Sequence, residues 1–248
     1  MSLLDYFKRK PEEVERLDLS WLQVDMHSHL IPGIDDGSKT MEESIELIRR
    51  LADYGLRKII TTPHIMYEYY RNTPEIIEMG LEDLQKAVRN EGINIEIEAA
   101  AEYYMDEIFL EKVVNGNKIL TFGDNYVLVE TGFINKPQML FDIIFQLEMA
   151  GYKPILAHPE RYQYLISDKK LFEELVDRNI ILQVNLLSLT GFYSKQVKDF
   201  ADMMLDRGVI RFLGTDCHNF RYLDMLETLT KHKQYDKIKN LELINNIL

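Results

Sequence analysis

The sequence is poor in the features that mark several large protein classes. Only one of its 248 residues is a cysteine, Cys217, so an internal disulfide is excluded and a reducing compartment fits. No run of about 18 apolar residues occurs, so no membrane-spanning helix is expected. The N-terminal segment is charged and lacks the apolar stretch of a secretory signal peptide. These absences predict a cytoplasmic protein without membrane insertion.

The 29 basic residues are outnumbered by 41 acidic ones. The net charge at pH 7 is −12, and no basic run or polybasic tail offsets it. Because such a surface repels a phosphate backbone, nucleic acid is not an expected partner. Hydrophobic residues make up 46% of the chain, which is enough for one large core. We therefore expect a single domain over residues 21–248, preceded by an N-terminal extension over residues 1–20.

Short runs typical of β-strands alternate with amphipathic segments along the whole chain. Thr40 and Glu43 form the signature of a capping box for a helix over 41–54, and Thr73-Pro74 opens the next helix. Seven strand–helix repeats predict a parallel sheet, either closed into a barrel or open and doubly wound. The absence of a glycine-rich dinucleotide turn after the first strand favours the barrel. The predicted strands span 22–26, 57–62, 93–99, 126–130, 153–157, 180–184 and 209–214.

Histidines and carboxylates follow these strands closely. Five of the six histidines fall at the carboxyl ends of predicted strands, where the chemistry of barrel enzymes is found. In His27-x-His29 and Asp216-x-His218 the partners are two apart in extended chain, so their side chains point to the same side. A single histidine at a strand end is most often a structural hydrogen-bonding residue, so the joint pattern carries the prediction. The candidate metal ligands are His27, His29, Asp36, His64, Glu102, Glu130, His158, Asp216 and His218.

Nitrogen and oxygen ligands of this kind suit zinc, manganese or iron. Nine of them are too many for one ion, and two or three clustered divalent ions would use them fully. Cys217 lies among them but has neither a glycine-rich turn nor the C-x₅-R phosphate loop of cysteine-dependent phosphatases. We predict that it is a passive buried thiol.

Several motifs carry a resemblance to a known family. "DMHSHLIPGIDDG", "TTPHI", "AAAEYY", "VLVE", "AHPERY" and "GTDCHN" resemble the polymerase-and-histidinol-phosphatase (PHP) superfamily. Within it they are similar to the bacterial capsule and exopolysaccharide-type protein tyrosine phosphatases, the CpsB/YwqE group, over about residues 23–221. The resemblance implies an α/β fold, a distorted (β/α)₇ TIM-like barrel, with three metal ions at the C-terminal rim of the strands.

The resemblance also implies roles for individual residues. Arg161 matches an arginine that contacts the phosphate. Arg221 is the candidate for a second family arginine, although the family's R-P-P segment is absent here. The implied ligand sets are His27, His29, Glu102 and Asp216 for one ion, Glu102, Glu130 and His158 for a second, and Asp36, His64 and His218 for a third.

The implied activity is metal-dependent hydrolysis of phosphotyrosine on a protein, a polysaccharide-export tyrosine kinase, by attack of a metal-bridging hydroxide. Manganese or iron is the expected metal, with zinc and magnesium as alternatives. A small-molecule phosphatase, such as histidinol-phosphate phosphatase, and a non-catalytic metal-binding regulatory module are the competing functions. The motifs "PGIDDG" and "AHPERY" favour the tyrosine phosphatase over the small-molecule enzyme. The complete ligand set argues against the regulatory module.

Residues 66–72, "MYEYYRN", follow His64 on the loop after the second strand. Met66, Tyr67, Tyr69 and Tyr70 are candidates for a slot that holds a phenyl ring, and packing against neighbouring loops is the alternative. Leu30 and Ile31, on the loop after the first strand, are further candidates for the pocket walls.

Overall fold

The structure, a computed structural model, describes residues 16–248. Most of the predicted N-terminal extension therefore lies outside the described residues. Within its described part, Leu17 and Leu19 are buried, and the amide of Leu19 donates to the carbonyl of Tyr54 at 2.6 Å. The boundary of the extension at residue 20 stays a prediction. No helix of the described range combines the length and the apolarity needed to cross a membrane.

Nine short strands build the centre of the molecule, and every ladder between them is parallel. One sheet has the order β1-β2-β4 and the other the order β3-β5-β6-β7-β8-β9. The strands are β1 Val24–Asp25, β2 Lys58–Thr61, β3 His64–Ile65, β4 Glu96–Ala99, β5 Glu102–Tyr104, β6 Tyr126–Glu130, β7 Lys153–Ala157, β8 Ile181–Asn185 and β9 Ile210–Gly214.

The two sheets together form one closed ring of seven strand positions. β2 and β3 are successive halves of one strand position, and so are β4 and β5; the predicted strands 57–62 and 93–99 covered only the first half of each. The ring closes where Ser28 pairs in parallel with Cys217, just beyond β1 and β9. Lower down, the buried side chain of Asn245 joins the same two strands by donating to the carbonyls of Val24 and Leu213 at 2.9 and 2.7 Å. This arrangement confirms the predicted distorted (β/α)₇ barrel.

Helices surround the ring and begin at the predicted signals. Thr40 caps the first helix by accepting from the amide of Glu43 at 3.2 Å, and Glu43 in turn accepts from the amide of Lys39 at 2.8 Å, one residue earlier than a capping box requires. The helices are α1 Met41–Asp53, α2 Pro74–Asn90, α3 Glu107–Val114, α4 Leu140–Met149, α5 Gln163–Ser167, α6 Lys169–Asp177, α7 Leu186–Thr190, α8 Lys195–Arg207, α9 Phe220–Leu226 and α10 Tyr235–Lys239. Short 3₁₀ helices span Pro159–Arg161, Glu227–Lys231 and Ile244–Ile247.

The barrel interior is a packed core and not a pore. Its lower part is filled by buried apolar side chains, among which Phe212 meets Tyr126 edge to face at 5.3 Å. A larger apolar layer separates the ring from the helices. Because the interior below is filled, polar groups from the strands can meet only at the carboxyl end of the barrel. The interior side chains are Val24, Met26, Ile60, Ala100, Phe122, Tyr126, Leu128, Ile155, Ala157 and Phe212.

Candidate metal centre

The nine predicted ligands come together at the carboxyl end of the barrel. His64 and Glu102 begin β3 and β5, Glu130 ends β6, and the others follow β1, β7 and β9. Eight of the nine are buried, and the exception is Asp36, whose side chain is 52% exposed. As the spacing predicted, Ser28 pairs with Cys217 at the ring closure while its two histidine neighbours turn inward.

Glu102 lies at the centre of the cluster. Its Oε2 atom is 3.2 Å from Nε2 of His27 and 3.2 Å from Nδ1 of His64. Its Oε1 atom is 2.9 Å from Nε2 of His158. Burial alone would raise the pKa of Glu102, but the charges of His27 and His64 and the hydrogen bond from His158 hold it well below its usual range. The carboxylate therefore stays ionised in a site where a bare charge would be costly.

The ligand atoms form four overlapping groups, and within each group they lie within 4.8 Å of one another. Together the groups include all nine predicted ligands. They differ in part from the sets implied by the resemblance, because His29 also joins the group around Asp36 and Glu102 also pairs with His64. The groups are His29, Asp36, His64 and His218; His27, His29 and Asp216; His27, Glu102 and His158; and His64, Glu102 and Glu130.

Hydrogen bonds within the cluster leave some of its buried polar atoms without a partner, and divalent cations would supply one. Nδ1 of His64 and Oε1 of Glu130 are buried and only 2.9 Å apart. They are not aligned for a hydrogen bond to each other, and neither atom has another hydrogen-bond partner. Buried polar atoms without partners are rare, and a cation between them would satisfy both. Imidazole and carboxylate donors without a thiolate suit zinc, manganese or iron.

Buried polar residues outside the predicted set orient the ligands. Nδ1 of His29 donates to Oδ2 of Asp35 at 2.8 Å, and Nδ1 of His27 donates to Oε1 of Gln183 at 2.9 Å. Each contact leaves the Nε2 atom of the ring facing the cluster. Such partners fix the tautomer and the ring orientation of metal-binding histidines.

Asp216 is held in the same way. Its Oδ2 atom accepts from Asn185 Nδ2 at 2.6 Å, from Arg161 Nη1 at 3.0 Å and from the hydroxyl of Tyr193 at 3.3 Å. Its Oδ1 atom is left to face His27 and His29, at 3.3 and 3.4 Å. The backbone of Asp216 is left-handed, with φ of 51°, and that of His158 is left-handed with φ of 32°. Strained backbone of this kind concentrates at functional sites.

Comparison with known proteins agrees with this geometry. The family model described as "Capsular polysaccharide synthesis, CpsB/CapC" matches residues 23–245. The chain belongs to the CpsB/CapC family. It is 30% identical over 200 residues to the tyrosine-protein phosphatase YwqE of Bacillus subtilis, covering 80% of this chain and 78% of YwqE. It is 28% identical over 202 residues to the tyrosine-protein phosphatase CpsB of Streptococcus pneumoniae, covering 79% of this chain and 83% of CpsB.

Solved structures agree as well. A chain from the crystal structures of YwqE and CpsB, described as unique metal-dependent tyrosine phosphatases, superposes with a TM-score of 0.78 at 28% identity, covering 90% of each chain. An amidohydrolase from Mycoplasma synoviae superposes with a TM-score of 0.54 at 13% identity, covering 94% of this chain and 87% of the amidohydrolase, which shows a shared fold alone.

The two arginines predicted for this CpsB/CapC family member lie in different surroundings. Arg161 contacts the cluster through Asp216, and its guanidinium carbon lies 4.3 Å from the ring centre of Tyr193 and 4.6 Å from that of Phe133. Arg221 is exposed, lies over the ring of Phe192 at 5.2 Å, and has no ion pair within residues 16–248. The structure thus brings Arg161, but not Arg221, into contact with a predicted ligand.

The predicted substrate loop borders the cluster. Met66, Tyr67 and Tyr69 line a cleft of about 720 Å³ that has Glu130 in its wall. Tyr70 lies inward of them and stacks on His64 with ring centres 5.3 Å apart.

The prediction that Leu30 and Ile31 line the walls of this pocket is wrong. They are 0% and 1% exposed and belong to the layer between strands and helices. Ile31 packs against Gly80 of α2, where an added Cβ atom would come within 2.4 Å of it.

Cys217 is a buried thiol, as predicted. It is 0% exposed and packs in the apolar layer outside the ring. Burial and the charges of Asp25 and Asp216 raise the pKa of Cys217 well above its ordinary value. Because the thiolate is the nucleophilic form, this environment argues against a cysteine mechanism.

The sequence interpretation did not include the orienting residues Asp35, Gln183, Asn185 and Tyr193. A signal for two of them was present, because Gln183 and Asn185 are polar residues two apart in a strand that is otherwise apolar and buried. Two such side chains point to one face of the strand and must find partners there. Asp35 carried no local signal beyond its place beside Asp36.

Proposed function

We propose that this chain is a metal-dependent phosphatase that hydrolyses phosphotyrosine on proteins. The observation that carries the proposal is the convergence of nine nitrogen and oxygen ligands at the rim of a barrel shared with YwqE and CpsB. A regulatory module without catalysis would have no need of so complete a set.

The proposed ligands are the nine residues of the cluster, holding two to three ions of manganese or iron. When bound, such ions lower the pKa of coordinated water and neutralise charge on phosphate oxygens. Glu102, whose carboxylate lies within 3.4 Å of four histidines, would be a ligand shared by more than one part of the cluster. Asp35 and Gln183 hold the two inner imidazoles so that their free nitrogens face the ions.

Arg161 is the proposed phosphate-binding residue. Its guanidinium is fixed beside the cluster by Asp216 and by the two aromatic rings that flank it. A preorganised cation at this position stabilises the charge that develops on the transferring phosphoryl group. Direct hydrolysis is proposed in place of a phosphocysteine mechanism because the one thiol of the chain is buried away from the cluster.

A finer proposal concerns the partner. We propose that the protein substrate is a tyrosine kinase of polysaccharide export, on the support that the family is described as acting in capsular polysaccharide synthesis. The cytoplasmic location inferred from the single cysteine stays a prediction.

The test compares three substrates on one preparation: a phosphotyrosine peptide, a phosphoserine peptide of the same sequence, and histidinol phosphate. Because the buried Glu130 belongs both to the cluster and to the lining of the cleft, we expect the longer phosphotyrosine side chain to reach the cluster through the cleft and phosphoserine not to reach it. We expect the highest kcat/KM for phosphotyrosine. Equal kcat/KM values for the two peptides would contradict the expected specificity for phosphotyrosine. A higher value for histidinol phosphate would favour a small-molecule phosphatase.

A further inference from the structure

The cleft beside the metal centre has walls of a distinctive composition. Its aromatic and apolar lining comes from the loop after β3, the end of β5, the start of α3 and the loop after β6. Tyr67, Tyr69 and Phe133 are 51%, 74% and 40% exposed, which is unusual for large side chains of this type. Since Glu130 belongs both to the cleft and to the cluster, the cleft is continuous with the proposed active site.

The charges in this cleft all have one sign. Besides Glu130 it is lined by Glu68, Asp106 and Glu107, and by no lysine or arginine. Asp106 caps α3 by accepting from the amide of Phe109 at 2.7 Å. Glu68 and Glu107 are exposed and have no ion pair within the described part of the chain.

The nearest cations do not neutralise the cleft. Arg71 lies over the ring of Tyr67 at 4.9 Å, and together with Lys112 it lines a smaller adjoining pocket that shares three lining residues with the cleft. Arg161 contacts Phe133 but is engaged by Asp216. The negative charge of the cleft is therefore open to an incoming molecule.

The negative charge of the cleft affects the pKa of a tyrosine hydroxyl inside it. Tyr104 lines it, and burial together with Glu130, Asp106 and Glu68 raises the pKa of the Tyr104 hydroxyl. Three carboxylates on different elements thus act on one point of the cleft.

We propose that this cleft binds the peptide segment flanking the phosphotyrosine and selects a lysine or arginine there, an inference that rests on the proposed phosphotyrosine activity. The phosphate of the substrate would be attracted by the metal ions of the cluster and by Arg161, whereas the adjacent acidic cleft repels acidic residues of the peptide. A lysine or arginine gains attraction from Glu68 and Glu107, and its cation can also lie over the exposed ring of Tyr69.

The first experiment uses phosphotyrosine peptides that differ only in flanking residues, which are lysine, alanine or glutamate. Exposed ion pairs contribute about 0.2–1 kcal/mol each, so two of them predict a kcat/KM about two- to thirtyfold higher for the lysine peptide than for the alanine peptide. The glutamate peptide should be the poorest. The difference should lie in KM, since these carboxylates do not touch the reacting atoms, and should shrink at high salt.

The second experiment removes the charges. The double variant Glu68→Gln/Glu107→Gln should lose the preference for lysine while keeping its kcat on the alanine peptide. The matched control Asp53→Asn/Asp177→Asn changes the net charge equally at exposed residues that end α1 and α6, where the chain leads into the amino ends of β2 and β8, and should keep the preference.

The outcomes separate the two proposals. Activity on all three peptides without a preference, or an equal loss of preference in the control, would overturn the cleft proposal and leave the phosphatase intact. No activity on any phosphotyrosine peptide at saturating metal would overturn the proposed function itself.

Discussion

Asp35→Asn tests whether a buried carboxylate sets the ligand geometry of the metal centre. Oδ2 of Asp35 accepts from Nδ1 of His29 at 2.8 Å and from the amide of His64 at 3.1 Å. Oδ1 accepts from the amide of Gly37 at 2.9 Å. The asparagine amide has only one acceptor oxygen, so at least one of these donors would face an NH₂ group.

The magnitude follows from these contacts. Losing the partner of a metal-bound histidine typically costs about 10- to 100-fold in metal affinity, which corresponds to about 1.4–2.7 kcal/mol. We expect the manganese concentration that gives half-maximal activity to rise by this factor, while kcat at saturating metal falls only a few-fold. A buried donor left unsatisfied costs about 1–3 kcal/mol, so the free energy of unfolding without metal should also fall.

The assay is a metal titration of phosphotyrosine hydrolysis, run beside thermal unfolding of the same preparation. Asp53→Asn, on the exposed end of α1, is the matched control and should behave as the wild type. An unchanged manganese requirement in folded Asp35→Asn protein would refute the orienting role. So would a loss of kcat that saturating metal does not restore.

Other predictions concern single groups. Arg161→Ala should lower kcat by about 10²–10³ with metal content unchanged, as the loss of one charge-directed donor does. Arg221→Ala should keep activity near that of the wild type. If Arg161→Ala loses metal, Arg161 has a structural role instead. Cys217→Ser should keep activity within a few-fold, because the thiol is buried away from the cluster, and an inactive, folded variant would revive a cysteine mechanism. Burial and the charge of His29 lower the pKa of His64, but the surrounding carboxylates outweigh them and raise it to about 10. Below that pH an incoming ion must displace the proton, so metal binding should release protons at neutral pH and weaken as the pH falls; calorimetry in buffers of different ionisation enthalpy would show no proton release if this is wrong.

The sequence was most informative where side-chain type and strand position coincide. His27, His64, Glu102 and Asp216 each combine a ligand side chain with the end of an apolar run, so local pattern alone located them. The parallel sheet followed in the same way, from the count of strand–helix repeats, and the absence of a glycine-rich dinucleotide turn favoured the barrel over the open sheet. Both depend on information within a few residues of chain.

Features that depend on distant contacts were not predictable. Gln183 orients His27 across 156 positions of sequence, and nothing near either residue shows the pairing. The second halves of two strands, β3 and β5, also escaped, because Pro63 and the pair Ala100-Ala101 interrupt the apolar runs. Residues 93–95 were predicted to begin a strand, yet they form an irregular segment after the turn that ends α2, and the amide of Ile93 donates to the carbonyl of Val88 at 3.2 Å.

The most direct test measures metal content and phosphotyrosine hydrolysis on one preparation, before and after the metal is stripped and again after manganese is added back. We expect activity to disappear with the metal and return with it, and folded His27→Ala protein to stay inactive throughout. Full turnover in a preparation shown by elemental analysis to be free of metal would contradict the account.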